Sequence, residues 1–274
     1  MKGILIIMAL LSYTLLQAQP MPLANENNLN DLADKTFSYD IMPLEYEYIN
    51  QRDVMWEKRI WREIPIQTRL NQHFRYAKRP LAQVILEMVT NGEIIAYTTA
   101  DDEFKKELCV ADLKSLLNTK ETVTILDPET FEETIVEVEN KFDYARITHF
   151  KIKETWYFDS KYSKLNVRIL GIAPMLTEYD DAGNILFEAP LCWLYYPDLR
   201  QKLVQEKVFN AANDASTLTW TDVFDMRYFE SIITKESNVF DRRIKDYKEG
   251  IDALIEGQKI HESIRNFESD LWEY

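Results

Sequence analysis

The most regular alternation of hydrophobic and polar positions lies in the middle of the chain, across residues 147–158. Large apolar side chains occupy one set of alternate positions, namely Phe150, Ile152, Trp156 and Phe158. The intervening positions are mostly polar, namely Lys151, Lys153, Thr155 and Tyr157. A period of two is typical of a strand with one buried face and one wetter face. This segment therefore predicts a half-buried strand.

Shorter segments on either side of it also predict strands. Residues 122–126 and 134–138 predict two strands around a turn at Asp127-Pro128. Residues 93–98 predict another strand, and residues 165–196 predict a long β-hairpin that reverses near Asp180–Asn184. The prolines at positions 174 and 190 cannot donate to a ladder, so we expect them at edges or bulges.

Helical periodicity predicts four further segments. Residues 53–64 carry large apolar side chains on one helical face after a capping aspartate, at Trp56, Ile60, Trp61 and Ile64. Residues 80–90 begin with Pro80 and repeat apolar residues at i, i+3, i+4 and i+7. Residues 199–208 predict a short amphipathic helix. Residues 219–232 predict another, capped by Thr219 or Thr221.

The C-terminal segment has the strictest period. Its large apolar residues step by 4, 3, 4 and 3 positions: Phe240, Ile244, Tyr247, Ile251 and Leu254. This spacing predicts a heptad seam, which Gln258 and His261 continue with polar side chains. We expect the seam to pack on the chain's own core. The alternative is packing against a neighbouring subunit or a lipoprotein.

These patterns predict an α+β fold in four parts. Residues 1–18 precede a flexible N-terminal extension at 19–40, which has no apolar period. A mixed core with antiparallel β-hairpin strands occupies 41–209, and a helical C-terminal segment occupies 210–274.

The first residues predict export from the cytoplasm. Lys2 precedes an apolar run from Ile4 to Leu16, and Ala18 offers a cleavage site. The run is shorter than the roughly 20 residues that a membrane-spanning helix needs, which argues against the alternative of a short anchor. No cysteine follows that could carry a lipid, and no later segment predicts direct membrane insertion. We expect an exported protein whose mature form associates with a membrane only through a partner.

The net charge of the chain limits the classes of molecule that it is expected to bind. The formal net charge is −14, which argues against nonspecific binding of nucleic acid because phosphate contacts need clustered lysine and arginine. Aromatic residues are abundant, with 6 Trp, 15 Tyr and 13 Phe. Tryptophan and tyrosine are favoured both in cores and at protein interfaces, so protein partners are the expected ligands.

No motif for catalysis is found in the sequence. The three histidines, His73, His149 and His261, have no metal-ligand spacing, and no phosphate loop or nucleophile elbow occurs. Acid clusters at Asp101-Asp102-Glu103, Glu132-Glu133, Glu137 with Glu139, and Asp180-Asp181 are interpreted as solvated surface. We therefore assign no catalytic, cofactor-binding or metal-ligating residue, and we expect no cofactor.

The two cysteines, Cys109 and Cys192, leave a disulfide chemically open in an oxidising compartment. The sequence does not fix the distance between them. We favour two buried free thiols that pack as small hydrophobic residues.

Several long stretches resemble the GldN/PorN family. They are Pro43 to Arg62, Arg168 to Pro174 with Ala189 to Asp198, Thr219 to Phe229, and Lys235 to Ile244. The resemblance covers most of residues 40–245. The extension at 19–40 and residues 255–274 carry little of it.

The resemblance implies a non-catalytic component of the type IX secretion and gliding motility machinery of Bacteroidetes. Family members bind an outer-membrane lipoprotein of the GldK/PorK kind and self-associate with it in rings. These rings engage the periplasmic part of a GldM/PorM-like motor protein. The family supplies no catalytic residue to carry over.

Two other classes of function stay open at this point. A periplasmic carbohydrate-active hydrolase would need two inward carboxylates in a cleft. A small-ligand binding protein would need a deep, largely apolar pocket.

Overall fold

A central antiparallel sheet organises the molecule. The computed structural model describes residues 42–117, 119–126, 133–140, 142–180 and 182–272, with backbone alone for 119–126 and 133–140. Seven strands form the sheet: β1 (Val54–Pro65), β2 (Ala96–Tyr97), β5 (Ile147–Asp159), β6 (Lys164–Tyr179), β7 (Ile185–Pro190), β8 (Trp193–Tyr195) and β9 (Ile232–Glu236). Their order is β2-β8-β6-β5-β1-β9, and β7 also pairs with β6. A separate two-stranded sheet joins β3 (Thr119–Leu126) to β4 (Glu133–Asn140).

Five α-helices accompany the strands in the described ranges. They are α1 (Leu81–Thr90), α2 (Val110–Leu117), α3 (Tyr196–Leu203), α4 (Trp220–Asp225) and α5 (Gly250–Trp272). Short 3-10 turns occur at Gln51–Asp53, Gln72–Arg75, Tyr144–Arg146 and Ile244–Asp246. The predicted α+β class is confirmed.

β5 is present as predicted, but the face expected to be wetter is largely buried, at Lys153, Thr155 and Tyr157. β5 buries Phe150 and Ile152 against the main core and pairs along its whole length with β6. The predicted hairpin at 165–196 is present, but its second half divides into β7 and β8, which pair with different parts of β6. Pro174 lies inside β6, where its carbonyl accepts a hydrogen bond from Leu191 N at 2.9 Å.

The helix predicted at 53–64 is wrong, because this segment is strand β1. Its two edges pair with β5 and β9, so the backbone groups of residues 60–63 are bonded within the sheet on both sides. The apolar positions fit a period of two as well as a helical period: Ile60 and Ile64 are buried on one face, and Trp61 is on the other. Long-range pairing decided between two patterns that the local sequence permits.

The main core lies on one face of the sheet, beneath helices α1 to α4. Each helix contributes buried side chains to this core, exemplified by Ile85, Leu113, Leu199 and Phe224. Helix α4 begins at a capping box, in which Thr219 and Asp222 exchange side-chain and backbone hydrogen bonds. It ends at Asp225 and does not reach residue 232 as predicted, because Ile232 begins β9.

The C-terminal helix packs on the same face of the sheet, beyond the main core. Helix α5 covers β9 and β1 with Ile260 and Ile264, which form a second core with Ile60 and Ile233. Gly257 permits this close approach, since a Cβ there would lie 2.8 Å from the carbonyl oxygen of Ile233.

The predicted heptad seam is wrong. The helix begins only at Gly250, whose φ of +54° is typical of glycine, and the residues before it form turns around the Asn238 side chain. Of the five seam residues only Ile244 is buried, and Ile251 is 74% exposed. The seam therefore does not pack on the chain's own core as expected.

Both cysteines are free thiols, as favoured from the sequence. Cys192 is buried in the main core, and burial raises the pKa of its thiol to about 12. Cys109 is exposed, so the expectation of burial is wrong for this residue.

Candidate functional site

The face of the sheet opposite the main core carries a polar groove of about 610 Å³. We call it the Trp61 groove and define it by Arg59, Trp61, Lys151, Lys153, Lys235 and Lys245. Strand alternation in β1 and β5 directs their groove residues to this side. In β9, a register irregularity opposite Trp61 and Arg62 brings Lys235 to the same side, although Ile233 is buried on the other face. The groove is therefore a consequence of the period of two in β1 and β5 together with this irregularity.

Trp61 forms the centre of the groove. It is the cross-strand partner of Lys153 on β5 and of Lys235 on β9. The Lys235 ammonium lies 4.4 Å from the ring centroid and the Lys153 ammonium 5.6 Å from it. These distances correspond to cation–π contacts, which hold both lysine side chains over the indole.

A loop anchored by Phe104 closes one side of the groove. The Phe104 ring packs onto Gly171 of β6, where any Cβ would collide with the ring. Phe104 also meets Tyr97, Trp193 and Tyr195 edge to face. These contacts fix the position of the preceding residues, including Asp102.

Asp102 ties the loop to the groove floor. Its carboxylate accepts a hydrogen bond from Trp61 Nε1 and another from Lys153 Nζ at 3.1 Å, and its backbone carbonyl accepts from the same ammonium at 2.6 Å. Burial by itself would raise the pKa of Asp102, but Lys153 and these hydrogen bonds outweigh it and lower the pKa. The interpretation of Asp102 as solvated surface is therefore wrong, since it is half-buried and ion-paired.

The far end of the groove is rich in cations. Lys151 is half-buried, and burial lowers the pKa of its ammonium; Arg243, Lys245 and Lys235 lower it further, against the opposing effect of Glu63. Within the described residues, Lys151 has no ion pair or hydrogen bond from its side chain. The groove therefore combines a neutralised end at Asp102 with a positively charged end at Lys151.

His149 lies beside this cationic end. Its Nε2 is 3.3 Å from a carboxylate oxygen of Glu188. Burial lowers the pKa of His149, while Glu63 and Glu188 oppose that effect. Within the described part of the chain, no three histidine, cysteine, aspartate or glutamate side chains lie close enough to hold a metal ion.

A buried ion cluster occupies the opposite face, between the two cores. Glu154 is fully buried and accepts hydrogen bonds from Arg62 Nε at 3.1 Å and Trp156 Nε1 at 3.0 Å. Arg227 lies 2.9 Å from the other oxygen of Glu154, in an ion pair. His261 of α5 contacts Arg62 at 3.4 Å. The closed geometry and burial of this cluster are typical of structural support for α5.

An open aromatic cleft of about 920 Å³ lies near His73. Tyr76 and Phe209 stack there with ring centroids 4.2 Å apart, and Tyr228 stacks on His73. Burial lowers the pKa of His73. The cleft is lined by residues within 69–77, 208–218 and 228–230, and its aromatic side chains lie beside the charged groups of Arg69, Arg75 and Glu230.

Of the other predicted acid clusters, the described residue Asp180 does not line the groove. Asp180 is exposed and accepts hydrogen bonds from its own turn, including one from Asn184 N at 2.7 Å. Glu132 and Asp181 lie outside the described residues, as do the side chains of Glu133, Glu137 and Glu139.

Sequence reasoning missed the groove because it placed Trp61 on a helical face with Trp56, Ile60 and Ile64. The alternating polar residues of β5 were identified, but only as the wetter face of a single strand, and no neighbouring strand was assigned to that face. The alternation of Arg59, Trp61 and Glu63 in β1 was the signal that could have located it.

Two comparisons with known proteins bear on the whole chain. The family model described as "Gliding motility associated protein GldN" matches residues 49–273. No curated protein matches the chain. In the ranges that the structure describes, no helix is both long enough and apolar enough to cross a bilayer.

Proposed function

The chain belongs to the GldN family of gliding motility associated proteins, and from that premise we propose that it is a non-catalytic structural subunit of the type IX secretion and gliding machinery. The observation that carries the proposal is the family match, which extends from β1 to the end of α5. A match of this extent includes the sheet, both cores and the C-terminal helix. The whole architecture thus belongs to the family, rather than one motif within it.

The finer proposal concerns place and partners. The subunit resides in the periplasm, directed there by residues 1–18, and associates peripherally with the outer membrane. It binds a GldK/PorK-like outer-membrane lipoprotein, self-associates in a ring, and contacts the periplasmic part of a GldM/PorM-like motor protein. No direct membrane insertion and no nucleic acid are involved.

Exposed apolar surface supports a role in assembly. Strand β7 pairs only with β6 among the described strands, and it presents Ile185, Leu186 and Phe187 to solvent. An edge strand with exposed apolar side chains favours association with another chain. Around the start of α5, Phe240, Ile251 and Leu254 are also exposed.

The Asp102 environment supports the absence of acid catalysis at the groove. A glycoside hydrolase needs one carboxyl group with a raised pKa as general acid. Lys153 has the opposite effect on Asp102, because it lowers the pKa of that carboxyl group. The groove therefore gives the hydrolase alternative no specific support.

Complementation of a deletion strain tests the proposal. We expect deletion to abolish both gliding and type IX secretion, and the wild-type gene to restore them. We expect Asp101→Asn and Glu133→Gln to restore secretion fully, because a structural subunit needs no carboxyl chemistry. Loss of secretion at normal protein level in either variant would support an enzyme instead.

A further inference from the structure

We propose that the Trp61 groove is a docking site for an acidic, extended polypeptide segment of a partner protein. The carboxylates of that segment would pair with Lys151 and Lys245, at the end of the groove away from Asp102. The inference rests on the residues of the groove and not on the ring assignment. The subunit could fail to form a ring and still bind such a segment, or the reverse.

The first argument is the unpaired charge of Lys151. An ammonium group that is partly removed from water is costly unless an anion compensates it. Other cations of the groove have such a partner: Lys153 is paired with Asp102, and Lys235 with Asp241 at 2.5 Å. Neither Lys151 nor Lys245 has an ion pair within 4 Å among the described residues. The groove therefore contains two cations, Lys151 and Lys245, that a carboxylate of a partner could pair with.

The second argument is the balance of charge at this end of the groove. Three carboxylates of the groove are already in ion pairs: Asp102 with Lys153, Glu103 with Lys105 and Asp241 with Lys235. The carboxylates nearest Lys151 are Glu63, which lies opposite it in the β1–β5 register, and Glu188, which lies beside His149. The cations Lys151, Arg243 and Lys245 outnumber these two carboxylates at this end.

The third argument is the size of the groove, which favours a polypeptide over a single small anion. The groove encloses about 610 Å³ and is lined by residues of β1, β5, β7 and β9 and of the loop around Asp102. A phosphate or a single carboxylate at Lys151 would fill only a small part of this volume. An extended chain, in contrast, can place carboxylates at Lys151 and Lys245 and lie along the rest of the groove.

The fourth argument is charge complementarity over the whole molecule. The chain carries a formal net charge of −14, so most of its surface repels an acidic partner. The cationic end of the groove, at Lys151, Arg243 and Lys245, directs an acidic segment to one place on such a surface. The groove is also preorganised, because Phe104 and Asp102 fix its wall and Trp61 fixes two of its lysines.

Fluorescence anisotropy with the purified full chain tests the proposal. The probe is a fluorescein-labelled decapeptide of alternating glutamate and serine, and the matched peptide carries lysine in place of glutamate. We expect the acidic peptide to bind and the basic peptide not to bind. We expect the double variant Lys151→Gln/Lys245→Gln to weaken the acidic peptide about tenfold or more. Its melting temperature should not fall, since the substitution at Lys151 removes an unpaired, partly buried charge.

The control variant is Lys78→Gln/Lys114→Gln, which removes the same charge from two exposed sites outside the groove. We expect it to leave the affinity for the peptide unchanged. Equal weakening in the control would show general charge attraction and overturn the proposal, as would failure of the acidic peptide to bind the wild-type chain. Displacement of the peptide by inorganic phosphate at concentrations that leave ionic strength unchanged would assign the groove to a small anion instead.

Discussion

Glu154 is the only carboxylate between two arginines in the buried cluster, so neutralising it provides a sharp test of the architecture. In the variant Glu154→Gln, Arg62 and Arg227 would face each other without an anion, and the new amide would direct a donor at them. Glu154 is fully buried and Arg62 nearly so. Leaving a buried charge unpaired costs about 3–5 kcal/mol of the free energy of unfolding. For a domain of this size that corresponds to a fall of about 6–20 °C in melting temperature.

The matched control is Glu206→Gln at the surface. Arg79 donates two hydrogen bonds to the Glu206 carboxylate, at 3.0 and 2.7 Å, and its own side chain is 46% exposed. Exposed ion pairs contribute about 0.2–1 kcal/mol, so this control should lose at most a few degrees. Thermal unfolding followed by circular dichroism compares the two variants. Equal losses in both would refute the claim that the Glu154 cluster holds the two cores together.

Three other predictions concern the C-terminal helix and acid stability. Ile251→Asp/Leu254→Asp should keep the wild-type melting temperature in thermal denaturation, because both side chains are largely exposed, while co-purification of a partner from envelopes should fall. Gly257→Ala should destabilise the chain in urea unfolding despite alanine's higher helix propensity, because the added Cβ would meet the Ile233 carbonyl oxygen at 2.8 Å. The free energy of unfolding should fall as the pH is lowered from about 7 to 5. The pKa of His261 is lowered from 6.5, mainly by burial, so the unfolded chain binds protons first in that window.

Each of these predictions has its own contrary outcome. For the exposed pair, the matched variant Ile260→Asp/Ile264→Asp changes buried residues of the same helix and should melt much earlier. If the Ile251→Asp/Leu254→Asp variant also unfolds at a much lower temperature, these two side chains pack within the molecule, as the heptad spacing predicts. A Gly257→Ala chain at least as stable as wild type would show that α5 does not pack closely on β9. A flat pH profile between 7 and 5 would exclude a contribution from histidines whose pKa is lowered in the folded chain. The variant His261→Gln should make the wild-type profile shallower.

The predictable part of the fold is the part in which local pattern and tertiary environment agree. The alternation in β5 was visible because Phe150 and Ile152 are buried while Lys151 and Lys153 face the groove. Helix α1 was predicted for the same reason, since seven of its ten residues are buried on a helical period that starts after Pro80.

The rest depended on contacts between distant segments. Trp61 fits a helical stripe locally, and only its pairing with Lys153 and Lys235 makes it the centre of a groove. The seam from Phe240 to Leu254 has a heptad spacing, but the turns around Asn238 prevent a helix before Gly250. From the sequence, Asp102 is one of three acids in a cluster typical of a solvated surface. In the structure, the packing of Phe104 on Gly171 places it beside Lys153.

The most direct test of the central claim is the mass and composition of the assembly that contains this chain. The native protein, tagged at a permissive site and purified from gently solubilised envelopes, should elute far above the 32.5 kDa of the uncleaved chain. We predict that it co-purifies with an outer-membrane lipoprotein and the periplasmic part of a motor protein, and that electron microscopy of the fraction reveals rings. Elution of the intact chain as a free monomer, without partners, from envelopes that secrete normally would contradict the claim.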